Sequence, residues 1–506
     1  MKHLLLCICL IFTNISFAQS YNIGLNATVI KNFEGFKENE TVTISHIIKE
    51  VDEKPYLMKE KKENYFLLIN NKTIEIPPQF DKYLRVNIKT PQDLWNYKII
   101  TDVIPELSIA GTQYELREEV EEEALDYINY LKEHNLVFND PYLETYLYSL
   151  VTSIAPVNIS DGRPGNVNII ILDSPTLNAC IYPNGTIVIN TGLLANLHTE
   201  DELVAILAHE IAHFIADHSI QNIQAEINRK KRAEFWSGLA VGLTAIGEGI
   251  AAANNPYYIP GAATASVALL SYSISKQVIN RLGMEYNHKQ EEEADQIAKH
   301  ILTMLNYDPN ALSSALDRIR ETMTQERNNA LYFASYTHPA LIRRINKAGI
   351  PESTEDPLFE KIVSFAVSNT AIQKYENKRF RESLRLVEQN IKNKVATYND
   401  YLLYANNLLN LYNTDDKIND ALESLKTAKS IDPDNINSYK TEALIYLRKQ
   451  EFLNAKQQLR IYKDKLLSLN SKLETIKDSN TWKTFSQQLS TEINWASNME
   501  LKLKDF

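Results

Sequence analysis

The stretch Ala208-His209-Glu210-Ile211-Ala212-His213 decides how the chain is read. Two histidines four positions apart lie on one helical face, and their imidazoles reach the separation needed to grip one Zn²⁺. Glu210 stands beside them, where its carboxylate can take a proton from an attacking water, the general-base role in a metalloprotease. The surroundings predict a helix. Leu203, Ile206, Leu207, Ile211 and Phe214 form an apolar stripe, and Thr199 with Glu202 three positions on reads as a capping box at its start.

Two histidines need a third donor. Glu291-Glu292-Glu293-Ala294-Asp295 opens a second helix in which Glu291, Ala294, Asp295 and Ala298 share a face. Glu291 would complete a two-His, one-carboxylate set with the fourth position open. Asp295, one turn further on, could accept a hydrogen bond from a ligand imidazole and fix its tautomer. Glu292 and Glu293 read as solvent-facing. His218 follows His213 by five positions, not the six of the metzincin pattern, so it is not counted as a ligand. Cys180 reads as a packing residue, because no activated Cys–His pattern accompanies it.

At these residues the chain resembles a known family, the zinc metallopeptidases typified by HtpX, BepA and the prenyl-protein protease of the endoplasmic reticulum. The resemblance covers about residues 115–350. It rests on Asn178-Ala179, Pro183-Asn184-Gly185, Asn190-Thr191-Gly192-Leu193-Leu194, the paired histidines with Glu210, Glu291 through Asp295, and Thr337-His338-Pro339 followed by Arg344-Ile345. The chain departs from the family pattern at Asn287-His288-Lys289-Gln290, where many relatives carry Ser-Arg, and at Ala298, where Gly is common. The resemblance implies that His209, His213 and Glu291 hold one Zn²⁺ and that Glu210 is catalytic. It points to His338 or Arg344 as donor to the developing oxyanion, with His338 alternatively latching the open zinc position. It also implies that an extended substrate adds as a strand near Cys180–Asn190.

Working outward, the 506 residues allow about three domains. Lys2 and His3 precede an apolar run from Leu4 to Phe12, and Ser16-Phe17-Ala18 offers small residues for cleavage, so residues 1–18 read as a secretion signal. Their removal leaves 52 basic against 64 acidic side chains and a single cysteine, Cys180, so the mature chain has no internal disulfide framework. The acidic balance argues against sequence-independent nucleic-acid binding. Residues 19–114 alternate β-favouring runs with turn residues, as in Tyr65-Phe66-Leu67-Leu68-Ile69 before Asn70-Asn71, and predict a small β-rich domain. Residues 115–350 hold the metallopeptidase pattern. Within them, the small, apolar segments 235–253 and 259–275 are interrupted by Glu248 and Asn254-Asn255-Pro256, which predicts a buried or membrane-facing helical hairpin rather than two spans.

In residues 351–506, Ala421 and Leu425 recur 34 positions later as Ala455 and Leu459, with Asp432-Pro433-Asp434-Asn435 between them as a helix stop. Tyr439, Ala443, Tyr446 and Phe452 match the small and large positions of a tetratricopeptide repeat, whose stacked helix pairs present a concave surface to peptides or partner proteins.

The expected architecture is α+β. A zincin-like, mostly helical catalytic domain with a short edge-strand sheet follows a small β-rich domain and precedes an all-α repeat domain. The expected protein is an exported zinc endopeptidase, periplasmic or membrane-associated on the periplasmic side. It would act on envelope proteins and meet the envelope assembly machinery through its repeats, with peripheral membrane contact through 235–275. The rival reading is a repeat-based chaperone or assembly adaptor with a latched or silent peptidase centre.

Overall fold

Residues 22–29 alternate buried and exposed side chains, with Ile23, Leu25, Ala27 and Val29 inward and Asn22, Gly24, Asn26 and Thr28 outward, the two-residue period of a half-buried strand. In the computed structural model, which describes residues 16–52, 62–77, 79–103, 112–155, 167–229, 278, 282–326, 344, 356–474 and 480–504, they belong to β1 (Ser16–Val29). This strand joins β2 (Thr41–Asp52), β3 (Lys62–Ile69), β4 (Lys72–Glu75) and β5 (Leu84–Val86) in an antiparallel sheet of order β4-β3-β2-β1-β5. Asn70 and Asn71 turn β3 into β4 with φ of 45° and 67°, the left-handed pair that a two-residue hairpin turn demands.

The stretch expected to be β-rich also contains a helix, α1 (Pro91–Lys98). Its start carries every local signal: Thr90 and Asp93 form a reciprocal capping box, and Pro91 occupies the first turn. Trp95 on this helix is fully buried, with its ring 5.6 Å from that of Phe214, and the Asn96 side chain donates to the Ile23 carbonyl at 3.1 Å. Helix α1 therefore ties the first sheet to the helix that carries the paired histidines.

Two helices follow, α2 (Thr112–Glu133) and α3 (Pro141–Ile154), the second capped by the Asp140 carboxylate. A three-stranded sheet comes next, of order β6-β8-β7. Strand β6 (Asn168–Leu172) runs parallel to β8 (Thr186–Asn190), and β7 (Ala179–Ile181) pairs antiparallel to β8. Gly185, at φ 78°, makes the tight turn between β7 and β8. Strand β8 passes into a short helix, α4 (Thr191–Leu194), and then α5 (Glu200–Ile215), α6 (His218–Arg229), α7 (His288–Met304) and α8 (Ala311–Glu326).

Gly192 shows how tightly the chain is packed here. A Cβ at this position would lie 2.3 Å from the Pro175 carbonyl carbon and 2.4 Å from its oxygen, and backbone cannot yield as a flexible side chain can. Gly192→Ala is expected to lower stability by about 1–3 kcal/mol, the usual range for overpacking. Urea unfolding followed by backbone circular dichroism reads the loss, and an unchanged midpoint would contradict this packing.

The described residues divide into two compact units, the first through Arg344 and the second from Asp356. The second unit consists, among described residues, of seven helices: α9 (Pro357–Glu376), α10 (Phe380–Lys392), α11 (Tyr398–Leu411), α12 (Asp415–Ile431), α13 (Asn437–Arg448), α14 (Phe452–Glu474) and α15 (Asn480–Lys502). Ala421, Leu425, Ala443, Ala455 and Leu459 are fully buried in it, and α12 ends at Ile431, just before the Asp432-Pro433 stop. Segments 235–253 and 259–275 and residue His338 lie outside the described residues. Among those described, no single helix is long and apolar enough to cross a membrane.

Candidate metal centre

Helix α5 begins where Thr199 accepts from the Glu202 backbone N–H, but the expected box does not close. The Glu202 carboxylate reaches one residue further back, to the His198 N–H at 2.7 Å, and also accepts from the Ser314 hydroxyl on α8. Buried at 2% exposure, it exchanges a local partner for a tertiary one that anchors α5 against α8. Helix α7 begins at the Asn287–Gln290 pair, the segment that departs from the family pattern. These two residues form a full capping box, and Gln290 also donates to Asn222 on α6 at 2.9 Å. The departure thus supplies the cap that sets Glu291 one turn into its helix.

Helices α5 and α7 bring three donors together. His209, His213 and Glu291 are each at most 2% exposed, and one donor atom from each lies within 4.8 Å of the other two. The Nε2 atoms of the histidines are 3.1 Å apart, Glu291 Oε1 is 3.4 Å from His213 Nε2, and Glu291 Oε2 is 3.6 Å from His209 Nε2. A tetrahedral ion held at about 2.0–2.1 Å needs donors roughly 3.3 Å apart, so the three residues fit a metal ion. Burial holds the His213 pKa well below the usual histidine range, against the pull of Glu291, and so favours the neutral imidazole that can ligate.

Asp295, one turn beyond Glu291, places Oδ1 3.0 Å from His209 Nδ1. Burial would raise its pKa, but the hydrogen bond to His209 and the charge of Arg344 outweigh it and hold the carboxyl below its ordinary range. Arg344 is 7% exposed and joins the two carboxylates of α7. Its Nη1 lies 2.6 Å from Glu291 Oε2, while Nη2 and Nε grip Asp295 at 2.6 and 2.9 Å. Those anionic partners keep the guanidinium pKa raised in spite of its burial.

Glu210 is 2% exposed and faces the same cavity as His209, Arg344, Ile206, Leu193 and two residues at the sheet edge, Asn178 and Ala179. Strand β7 is an edge strand of its sheet, so an extended chain laid along it would pass this cavity. Cys180 is buried, and burial together with the Glu210 charge pushes its thiol pKa up, which makes it a poor nucleophile.

Glu293 differs from its sequence reading, and His218 has a role the sequence did not indicate. Glu293 is only half-exposed, accepts from Lys98 Nζ on α1 at 2.5 Å and sits 3.5 Å from His218 Nε2. The hydrogen bond from His218, with Lys98 assisting against the effect of burial, brings its pKa down to about 2. His218 is outside the metal-donor cluster, yet its Nδ1 lies 2.8 Å from His213 Nδ1. Asp217 explains its position: at φ 61° it ends α5 and turns the chain so that α6 opens with His218 facing back, and an ion pair with Arg117 of α2 holds the turn. Tyr286, which the sequence did not single out, stacks on the His213 ring at 3.7 Å. A polar residue five positions after His213 was the visible signal for His218, whereas nothing local marks Tyr286 or Lys98.

Residues 141–350 match the model of Peptidase family M48. The mitochondrial metalloendopeptidase OMA1 of Schizosaccharomyces pombe is 31% identical over 178 residues, covering 35% of this chain and 44% of that protein. The putative beta-barrel assembly-enhancing protease of Vibrio cholerae is 25% identical over 197 residues, covering 38% of this chain and 36% of its own length. The beta-barrel assembly-enhancing protease of Escherichia coli is 24% identical over 194 residues, with the same shares. The chain thus spans less than half the length of these relatives. His209, Glu210, His213, Glu291, Asp295 and Arg344 all fall inside the matched segment, and residues 141–350 of this chain are a Peptidase M48 domain.

Proposed function

We propose that the chain is an exported zinc-dependent endopeptidase of envelope proteins. In this reading His209, His213 and Glu291 hold one Zn²⁺ and Glu210 is the general base. The observation that carries it is the convergence of three buried donors with Glu210 and the edge residues Asn178 and Ala179 around one cavity. When bound, the metal supplies Lewis acidity to the scissile carbonyl and acidity to the attacking water. Glu210 takes the proton onto its carboxylate and returns it to the departing amine. Arg344 places a permanent positive charge at the cavity where negative charge develops, and it also holds Glu291 and Asp295 in place. His338 acts as a further oxyanion donor, or as a latch on the open position.

Substrate would enter as an added strand along β7, its backbone read by hydrogen bonds and its side chains only loosely. The fold is read as zincin-like, and the helices of the second unit as tetratricopeptide-like repeats that hold substrate or a component of the envelope assembly machinery, in keeping with the names of the Vibrio and Escherichia relatives. Export rests on the expected signal in residues 1–18; strand β1 extends past that cleavage point from Gln19 to Val29.

Metal analysis of the purified full chain together with cleavage of an unfolded protein tests the reading. It expects about one zinc per chain and cleavage that stops on chelation and returns with zinc. A metal-free chain, or cleavage indifferent to chelation, would overturn it.

A further inference from the structure

We propose that His218, Glu293 and Lys98 form a hydrogen-bonded relay that holds His213 in its metal-binding tautomer, so that α1, outside the M48-matched residues, takes part in metal binding. This rests on the metal-site reading above.

Each link sets the direction of the next. His213 turns Nε2 toward His209 and Glu291, at 3.1 and 3.4 Å, and a nitrogen that ligates a metal carries no proton. Its proton therefore sits on Nδ1, which points at His218 Nδ1 at 2.8 Å. His218 Nδ1 accepts this bond, which leaves the His218 proton on Nε2, directed at Glu293 Oε2 at 3.5 Å. The other Glu293 oxygen takes the Lys98 ammonium at 2.5 Å. Donors and acceptors alternate without conflict from the metal ligand to a lysine 195 positions away from Glu293 in sequence.

The two ligand histidines are thus served differently. His209 meets a carboxylate directly, Asp295, on the same helix as Glu291. His213 reaches its carboxylate through a second imidazole, and its ring is stacked on Tyr286, whose hydroxyl lies 3.2 Å from Ser219 Oγ. Hydrogen bonds behind a ligand imidazole orient it and raise its basicity, and their loss lowers metal affinity by about 10–100-fold. Lys98 is the far end of the relay, 16% exposed, on the helix that also buries Trp95 against Phe214 of α5.

The test is the zinc dissociation constant of the full chain, measured by competition with a chromogenic chelator, with thermal melting of the metal-free proteins as a check on folding. His218→Phe and Glu293→Gln are expected to weaken zinc binding by about 10–100-fold, Lys98→Met by several-fold, and Lys98→Arg to restore most of that loss. Glu292→Gln makes the same charge change one position away and is expected to leave affinity within about twofold, since the carboxylate 3.5 Å from His218 Nε2 is that of Glu293. If His218→Phe melts early, Lys98→Met and its Arg rescue carry the test at the protein margin. Wild-type affinity in Glu293→Gln and Lys98→Met, or an equal loss in Glu292→Gln, overturns the relay and leaves the metal site standing. A wild-type chain that takes up no zinc overturns both.

Discussion

Glu210→Gln is expected to lower the turnover of an unfolded protein substrate by about 10²–10⁴-fold, the contribution of a positioned general base, while zinc stays bound. The substitution keeps the shape of a side chain that is 2% exposed and removes only its capacity to hold a proton. Glu210 is not among the three clustered donors, so metal content should not change. Stability should hold or rise, because a buried carboxylate is replaced by a neutral amide. Single-turnover cleavage alongside zinc analysis reads the two effects separately. Cleavage at the wild-type rate would remove Glu210 from the mechanism, and loss of zinc would show that it holds the site together instead.

The second large effect is on the metal. Glu291→Ala is expected to raise the zinc dissociation constant by about 10²–10³-fold, if a binding energy of roughly 10–16 kcal/mol is shared over four ligands. Glu291 is the one donor contributed by α7, and it stands opposite both Nε2 atoms. Its loss also frees Arg344 Nη1 from an ion pair while leaving the two bonds to Asp295. Chelator competition gives the affinity, and cleavage at limiting zinc should fall with it. Undiminished zinc binding would mean that the third donor is another residue.

The helices of the first unit that carry the metal donors are legible because their signals are local. The four-residue spacing of His209 and His213, the stripe from Leu203 to Phe214 and the Thr199 start are properties of one helix turn after another. Helix α1 is announced only by Thr90, Pro91 and Asp93 at the end of a segment whose other runs favour strands, so composition over the whole segment predicts β-structure. In the second unit the residues spaced 34 apart, Ala421 with Ala455 and Leu425 with Leu459, are all fully buried.

Glu293 and Glu202 show where local reasoning stops. Both stand at helix positions where a carboxylate ordinarily meets solvent or caps its own helix. Glu293 is covered by α1 and His218, and Glu202 by Ser314 of α8. The partners lie more than 70 positions away in each case, and no spacing within a helix encodes which distant surface will cover a given face.

The sequence by itself determined the donor types, their helical faces and the pairing of His209 with His213, because side-chain direction on a helix follows from 3.6 residues per turn. Only the tertiary structure decided that Glu291 meets both imidazoles, that Arg344 joins Glu291 to Asp295, and that Lys98 from the N-terminal segment stands behind His213 through Glu293 and His218. Those contacts depend on how α1, α5, α6 and α7 bury their apolar faces together, and burial is set by the whole packed unit rather than by any one stretch of chain.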